Sequence, residues 1–115
     1  NTERTSTLKI DPIEHDPLAR ALCIQRHGSS CSVCNIDMSV RYGALGSGFI
    51  EIHHQRSTTA AELGREPDPL RDLYPVCPNC HAMLHRGREI PLTVNELKTA
   101  MRKISARRND MLMDL

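Results

Sequence analysis

The chain has 115 residues, which suits a single domain, and its 15 Lys and Arg side chains nearly balance its 14 Asp and Glu side chains. The resulting net charge of +1 excludes a uniformly basic surface as the argument for a nucleic-acid partner. With no Trp, one Phe and two Tyr, the chain is poor in aromatic core side chains, and a structural metal would supply stability that packing lacks.

The sequence contains no apolar stretch of the roughly 20 residues that a membrane span needs. It also does not open with a charged segment followed by an apolar one, as a secretory signal would. We therefore expect a soluble protein of the bacterial cytoplasm. The chain begins at Asn1 rather than Met, and this predicts a piece of a longer protein, with a specificity domain outside this chain.

The first half of the chain is predicted to contain one helix and one strand. Residues 1–15 are polar and lack a period, so we expect an N-terminal arm or linker. A capping Asp, a Pro in the first turn and a terminal Gly predict a helix over residues 16–27. Residues 29–48, rich in Gly and Ser, are predicted to be a loop, and the alternation across residues 49–54 predicts a β-strand.

The second half is predicted to contain a strand and two helices. Residues 55–70 are polar and indicate a surface loop, and residues 73–76 indicate a short strand that its proline confines to a sheet edge. A short helix is expected over residues 78–86. The spacing of a capping box predicts a last helix over about residues 93–108, whose apolar stripe suits a core or dimer contact.

Four of the five cysteines form two CxxC pairs, Cys31 with Cys34 and Cys77 with Cys80. Each such turn brings two thiolates within reach of one tetrahedral metal, so the two pairs predict a structural zinc site, with disulfides or unrelated thiols as the alternatives. A four-thiolate site has no open position for a substrate, so catalysis would have to occur elsewhere. Cys23 stands alone in an apolar run and is expected to be a small core residue.

Two pairs of histidines are interleaved with these cysteines. His81 and His85 are four residues apart, which places them on one face of a helix. His53 and His54 are adjacent in a predicted strand, where neighbouring side chains point to opposite sides. We expect one of these two to ligate a metal together with the helical pair and the other to act on a water molecule.

The His-His pair followed by Leu-Tyr-Pro-Val-Cys-Pro-Asn-Cys-His-Ala-Met-Leu-His resembles the HNH, or ββα-metal, nuclease module. The paired cysteines flank it as they do in restriction endonucleases of the McrA-like branch, and the similarity covers residues 31–86. The resemblance implies an α+β fold: a small zinc-stabilised nuclease domain over residues 16–115, with its core at residues 31–86 and flanking helices.

The resemblance also implies a role for each histidine. His53, His81 and His85 would hold the catalytic ion, and His54 would be the general base. Asp72 falls at the position usually taken by the asparagine that orients the loop carrying the base. An aspartate can accept backbone hydrogen bonds there, but it lacks the donor of the amide.

Two further positions carry predictions. Gln55 departs from the module, which usually has an apolar residue at that position. Arg56 and Arg86 flank the expected site and are candidates for phosphate contacts, although surface arginines are common.

The implied activity is metal-dependent hydrolysis of DNA phosphodiester bonds, leaving 5′-phosphate and 3′-hydroxyl ends, in a restriction-type enzyme with modified DNA as a candidate substrate. Imidazole ligands favour Zn²⁺, Ni²⁺, Co²⁺ or Cu²⁺, whereas the family often works with Mg²⁺ or Mn²⁺. A homodimer would supply the second site that a double-strand break requires. The alternatives are a non-catalytic zinc module that binds DNA or protein, and a zinc hydrolase acting on small phosphodiesters.

Overall fold

The structure is a computed structural model that describes residues 11–56 and 59–113, and its architecture is a small α+β fold. Within these residues the chain forms two strands, β1 (Glu51–His54) and β2 (Leu73–Val76). The described helices are α1 (Pro17–His27), α2 (Met38–Tyr42), α3 (Ala60–Leu63), α4 (Pro78–His85) and α5 (Val94–Met113). Short 3-10 turns lie at Pro12–His15 and Gly43–Gly46.

The strands β1 and β2 pair antiparallel, with His53 opposite Tyr74 and His54 opposite Leu73. A two-stranded sheet is marginally stable alone, so it depends on the helices that cover it. Helix α1 packs against both strands, and α4 packs against β1. Because α4 follows β2 directly, the strand pair and this helix together bring both histidine pairs into one region.

Buried side chains form two clusters around the strands. The larger lies between the cysteines, β1, α4 and the start of α5, and contains Cys31, Val33, Ile50, Val76, Cys77, Cys80, Leu84 and Val94. The smaller joins α1 to the sheet through Ala19, Cys23, Ile52 and Leu73. Full burial of an aliphatic side chain contributes about 1.5–3 kcal/mol. Cys23 is a core residue as predicted, and burial raises the pKa of its thiol to about 11.

Most of the predicted regular elements are confirmed. The helices predicted over residues 16–27 and 78–86 are α1 and α4, and the strand predicted over residues 73–76 is β2. The strand predicted over residues 49–54 is present as the shorter β1. A Pro in the first turn and a Gly after the end mark the two helices, and alternation marks the first strand, which are signals readable in a single sequence.

The two predicted loops each contain a short helix that the sequence analysis did not identify. Helix α2 lies within residues 29–48, and Asp37 accepts a backbone N–H at its start. Helix α3 lies within residues 55–70, and Thr59 and Glu62 form a capping box at its start. Helices of four or five residues are too short to show an apolar period, so only their caps could have revealed them.

The N-terminal segment also differs from the prediction of an arm up to residue 15. Asp11 accepts the backbone N–H of Ile13 (3.1 Å) and so caps the first 3-10 turn, with Pro12 at its first position. Ile13 packs against the smaller core cluster. The rest of the predicted arm, residues 1–10, lies outside the described residues.

Helix α5 begins with the predicted capping box. The backbone N–H of Thr93 donates to the Glu96 carboxylate (2.8 Å), and that of Glu96 donates to the Thr93 hydroxyl (3.1 Å). The helix continues past the predicted end near residue 108 to Met113. At its start the apolar stripe contacts the larger core cluster through Val94 and Leu97.

Farther along α5 the stripe is exposed. Met101 and Ile104 are 40% and 49% exposed, so the predicted core contact does not extend to them. The second predicted use of this exposed stripe, a dimer contact, is a proposal. Across the part of the chain that the structure describes, none of the helices has both the length and the apolar character that crossing a membrane requires.

Candidate metal centres

The two CxxC pairs come together at one place. The sulfur atoms of Cys31, Cys34, Cys77 and Cys80 all lie within 4.8 Å of one another. Cys34 Sγ and Cys77 Sγ, which belong to different pairs, are 3.8 Å apart. A tetrahedral Zn²⁺ with Zn–S bonds of about 2.3 Å requires sulfur separations of about 3.8 Å. The cluster therefore has the donor type and the spacing of a structural zinc site.

Backbone N–H groups support the first sulfur of each pair. Cys31 Sγ accepts from the N–H of Val33 (3.4 Å) and of Cys34 (3.5 Å), and Cys77 Sγ accepts from that of Cys80 (3.4 Å). Cys77 is also the N-cap of α4, so the sulfur cluster fixes the start of that helix. The metal site and the helix that follows it are thus one local structure.

The electrostatics of the cluster favour a bound cation. All five cysteines of the chain are free thiols, which removes disulfides as the explanation of the CxxC pairs. Burial raises the pKa of Cys80, and a hydrogen bond with Cys77 and the neighbouring sulfurs raise it further. Burial likewise raises the pKa of Cys34. Four thiolates cannot be held this close without a positive charge among them, and Zn²⁺ would supply it.

A second cluster contains the predicted histidine ligands and one residue that the sequence analysis did not identify. His53 comes from β1, His81 and His85 from α4, and Glu14 from the first 3-10 turn. One ligand atom from each residue lies within 4.8 Å of the others. The carboxylate is central: its oxygens lie 3.0 Å from His81 Nε2, 3.1 Å from His85 Nε2 and 3.3 Å from His53 Nδ1.

His53 provides the clearest sign that this cluster fits a cation. Its Nε2 lies 3.2 Å from the carbonyl oxygen of Leu92, which can only accept, so Nε2 is the donor. In the neutral ring Nδ1 then carries a lone pair, and this buried atom makes no hydrogen bond within the described residues. It faces the Glu14 carboxylate at 3.3 Å. Two electron pairs facing each other in a buried space suit a cation between them.

The ring of His81 is oriented in the same manner. Its Nδ1 lies 2.9 Å from a carboxylate oxygen of Glu51, which accepts the N–H, so Nε2 presents its lone pair to the cluster. Nε2 of His85 lies 3.2 Å from Nε2 of His81. Carboxylates and carbonyls that accept the outer N–H of a histidine are the usual supports of metal-binding imidazoles.

The charges of the cluster suit a divalent cation as well. Burial raises the pKa of Glu14, but the adjacent imidazoles of His53 and His81 and the hydrogen bond from the backbone N–H of His54 outweigh it and hold that pKa well below its usual range. Burial lowers the pKa of His85 below its ordinary value. The cluster thus combines an ionised carboxylate with imidazole nitrogens, in place of the imidazole-only set expected from the sequence, and an oxygen ligand broadens the choice of metal toward Mg²⁺ and Mn²⁺.

His54 lies beside this cluster but is not one of its four donors. Its Nδ1 lies 2.6 Å from Oδ2 of Asp11, and its backbone N–H donates to Glu14 (2.8 Å). Within the described residues its Nε2 makes no hydrogen bond, and the side chain is 15% exposed. The adjacent histidines therefore have separate surroundings, one inside the donor cluster and one at its edge.

Asp72, at the position where the resemblance places an asparagine, is buried and fastens its own loop. Its carboxylate accepts from Arg65 (2.5 Å) and from the backbone of Asp68 (2.7 Å), and its carbonyl oxygen accepts the N–H of Gln55 (2.8 Å). The side chain thus ties residues 65–72 together, and the backbone bond attaches this loop next to His54. The missing amide donor is not needed for these contacts.

The two candidate phosphate-binding arginines have different surroundings. Arg56 contacts the carbonyl oxygen of Glu89 (3.3 Å), and its Nε lies 3.5 Å from Asp11, close to His54. Arg86 is exposed after the end of α4. Only Arg56 is therefore tied to the histidine site through the contacts seen here.

The residues that sequence reasoning missed, Asp11 and Glu14, lie in a segment that looked featureless because it is polar and short. One signal could have found it. Asp11-Pro12 repeats the capping Asp followed by Pro that starts α1 at Asp16-Pro17.

Comparison of the chain with models of protein families, with curated proteins and with solved structures finds no match.

Proposed function

We propose that this chain is the catalytic domain of a metal-dependent DNA endonuclease of the HNH type. The observation that carries the proposal is the division between two adjacent histidines. His53 belongs to a buried donor cluster with Glu14, and His54 stands outside it with one ring nitrogen held by a carboxylate. A cation site beside an oriented imidazole can supply both the charge neutralisation and the general base that promote hydrolysis of a phosphodiester.

The reaction must overcome an anionic phosphate that repels nucleophiles and a poor alkoxide leaving group. A divalent cation, when bound, neutralises the phosphate charge and stabilises the departing oxygen. Glu14, His53, His81 and His85 would hold that cation. Nε2 of His54 would accept a proton from the attacking water, since imidazole exchanges protons near neutral pH.

The contacts within the chain link the base to the ligand cluster. Glu14 accepts the backbone N–H of His54 while facing the three other ligands, so the distance between base and cation site is set by one carboxylate. The sulfur cluster fixes the start of α4, from which His81 and His85 project. The zinc centre would therefore act as scaffold and the histidine centre as the site of chemistry.

The finer assignment rests on the resemblance of residues 31–86 to McrA-like nucleases alone. It comprises a restriction-type role, modified DNA as a substrate and 5′-phosphate products. A homodimer would bring two sites to one duplex, and the exposed stripe of α5 is the candidate contact. Arg56, beside the site, is the better candidate of the two arginines for a phosphate contact.

Supercoiled plasmid DNA, methylated and unmethylated, tests the proposal when it is incubated with the chain and Mg²⁺, Mn²⁺, Co²⁺, Ni²⁺ or Zn²⁺ in turn. We expect nicking with at least one ion. Because removal of a general base typically lowers a rate about 10²–10⁴-fold, the nicking rate of His54→Ala should fall by that factor. His27→Ala, which removes an exposed histidine of α1, is the matched control and should cleave normally.

Cleavage by His54→Ala at the wild-type rate, or no cleavage with any ion, would overturn the enzymatic assignment. A non-catalytic zinc module needs the sulfur cluster and nothing else, so it would bind one ion per chain and nick no DNA. Equal cleavage of methylated and unmethylated plasmid would remove modified DNA as the specific substrate while leaving the nuclease assignment intact.

A further inference from the structure

Among the described residues, the contact between Asp11 and His54 is the shortest polar contact made by the side chain of either adjacent histidine. Asp11 Oδ2 lies 2.6 Å from His54 Nδ1, across 43 positions of sequence. The Asp11 side chain is 8% exposed. A charged group so shielded from water is held in place by its partners, and here one partner is the proposed base.

Asp11 is also oriented independently of His54. Its other oxygen, Oδ1, accepts the backbone N–H of Ile13, which makes Asp11 the N-cap of the first 3-10 turn. Pro12 at the first position of that turn has a fixed backbone φ. Arg56 Nε lies 3.5 Å from the oxygen that contacts His54. The turn and the arginine therefore position the Asp11 carboxylate independently of the His54 imidazole.

The contact has a chemical consequence for the ring of His54. A carboxylate only accepts hydrogen bonds, so Nδ1 of His54 is the donor. The neutral ring then has its lone pair on Nε2, which makes no hydrogen bond within the part of the chain that the structure describes. An acidic side chain on one nitrogen of an imidazole fixes the tautomer and orientation of a general base whose other nitrogen receives the proton.

We infer that Asp11 is the positioning residue of His54: it fixes the tautomer with a proton on Nδ1 and aims Nε2 at the reacting water. The catalytic part of this inference rests on the proposed function. In the step itself, the O–H bond of water breaks, its proton binds Nε2, and the oxygen uses the freed electron pair to form a bond to phosphorus. The bond from phosphorus to the 3′ oxygen breaks, and the departing oxygen takes up a proton from solvent to become the 3′-hydroxyl group. The resulting imidazolium is stabilised by Asp11, which stays ionised.

The same turn would then supply both centres of the reaction. Asp11 orients the base, and Glu14, three residues later, contributes to the ligand cluster and accepts the backbone N–H of His54. The 3-10 turn thus sets the base and the cation site relative to each other.

The tautomer can be measured without any cleavage assay. In long-range ¹H–¹⁵N NMR spectra of the full chain, we expect the His54 ring to show a protonated Nδ1 and an unprotonated Nε2. In Asp11→Ala this preference should be lost, and in Asp11→Glu, which keeps the carboxylate, it should be retained at least in part. An unchanged tautomer in Asp11→Ala would overturn the inference.

Asp16→Ala is the matched control, because Asp16 caps α1 as Asp11 caps the turn, accepting the N–H of Leu18 (2.9 Å), and its carboxylate does not contact His54. It should leave the His54 tautomer as in wild type. An equal loss of the tautomer preference in Asp16→Ala would show that loss of a cap, rather than of the specific contact, is responsible, and would overturn the inference.

Kinetics separate positioning from folding and from function. We expect Asp11→Ala, and the nearly isosteric Asp11→Asn, to lower kcat about 10²-fold, within the range of general-base effects, with KM for DNA little changed. A rise in KM for DNA with kcat unchanged would overturn the inference. If wild type shows the predicted tautomer but cleaves no DNA with any ion, the nuclease proposal fails and the positioning of His54 by Asp11 stands.

Discussion

The sulfur cluster and the histidine cluster share α4 and have four donors each, yet they differ in how the chain builds them. Two CxxC turns supply all the sulfurs, and only Cys34 among them is exposed. The histidine cluster draws on three segments, mixes an oxygen with nitrogens, and leaves the His85 side chain 31% exposed. A closed four-sulfur cluster suits scaffolding, and a partly open mixed cluster suits a site that must admit a substrate.

The largest expected effect lies in the sulfur cluster. Cys80→Ser should abolish zinc binding and with it the folded state, because structural zinc contributes about 10–16 kcal/mol in small domains whose net stability is about 5–15 kcal/mol. Zinc content and thermal unfolding followed by circular dichroism measure this. Cys23→Ala, a change to a buried cysteine outside the cluster, is the control: it should keep its zinc and lose only about 1 kcal/mol.

A Cys80→Ser chain that melts cooperatively near the wild-type temperature would break the comparison, because the sulfur cluster could then not be the scaffold on which α4 depends. It would also mean that the positions of His81 and His85 do not depend on the zinc centre.

The next effect lies in the histidine cluster. Glu14→Gln removes the one negative charge among the four donors while keeping a hydrogen-bond acceptor, so we expect loss of the second bound ion and of DNA cleavage, with the sulfur-bound zinc retained. Glu51→Gln, which alters the support of His81, should weaken this ion less, by about 10–100-fold in affinity. Ions per chain from elemental analysis and titration calorimetry with Mn²⁺ measure both.

Glu66→Gln provides the control for this series, since it neutralises an exposed acidic side chain outside both clusters. If Glu14→Gln binds as many ions as wild type with the same Kd, the carboxylate is not a ligand and the cluster reverts to the imidazole-only set.

The contrast between the clusters also explains what the sequence could predict. The cysteine site was predictable because each CxxC turn is local, and the pairing of two such turns has few alternatives. Helical spacing placed His81 and His85 on one face, and strand alternation separated His53 from His54, because both patterns also act over a few residues. The choice of His53 over His54 as the ligand came from the resemblance alone. Glu14 lies 39 positions before His53, and no short-range pattern connects a carboxylate in a 3-10 turn to a strand that distant. Asp11 was missed for the same reason.

The smallest expected effect concerns Gln55, which stands where the nuclease module that the chain resembles usually has an apolar residue. Its side-chain oxygen accepts the backbone N–H of Val94 (3.0 Å), so it helps cap α5, and Leu92 just before that helix accepts from His53. Gln55→Leu should cost about 1 kcal/mol, the usual value of a helix cap, and leave the sulfur-bound zinc unchanged. Thermal melts of Gln55→Leu and of Thr93→Ala, which removes the other cap of α5, should show similar losses. A Gln55→Leu chain as stable as wild type would mean that the start of α5 does not depend on this contact.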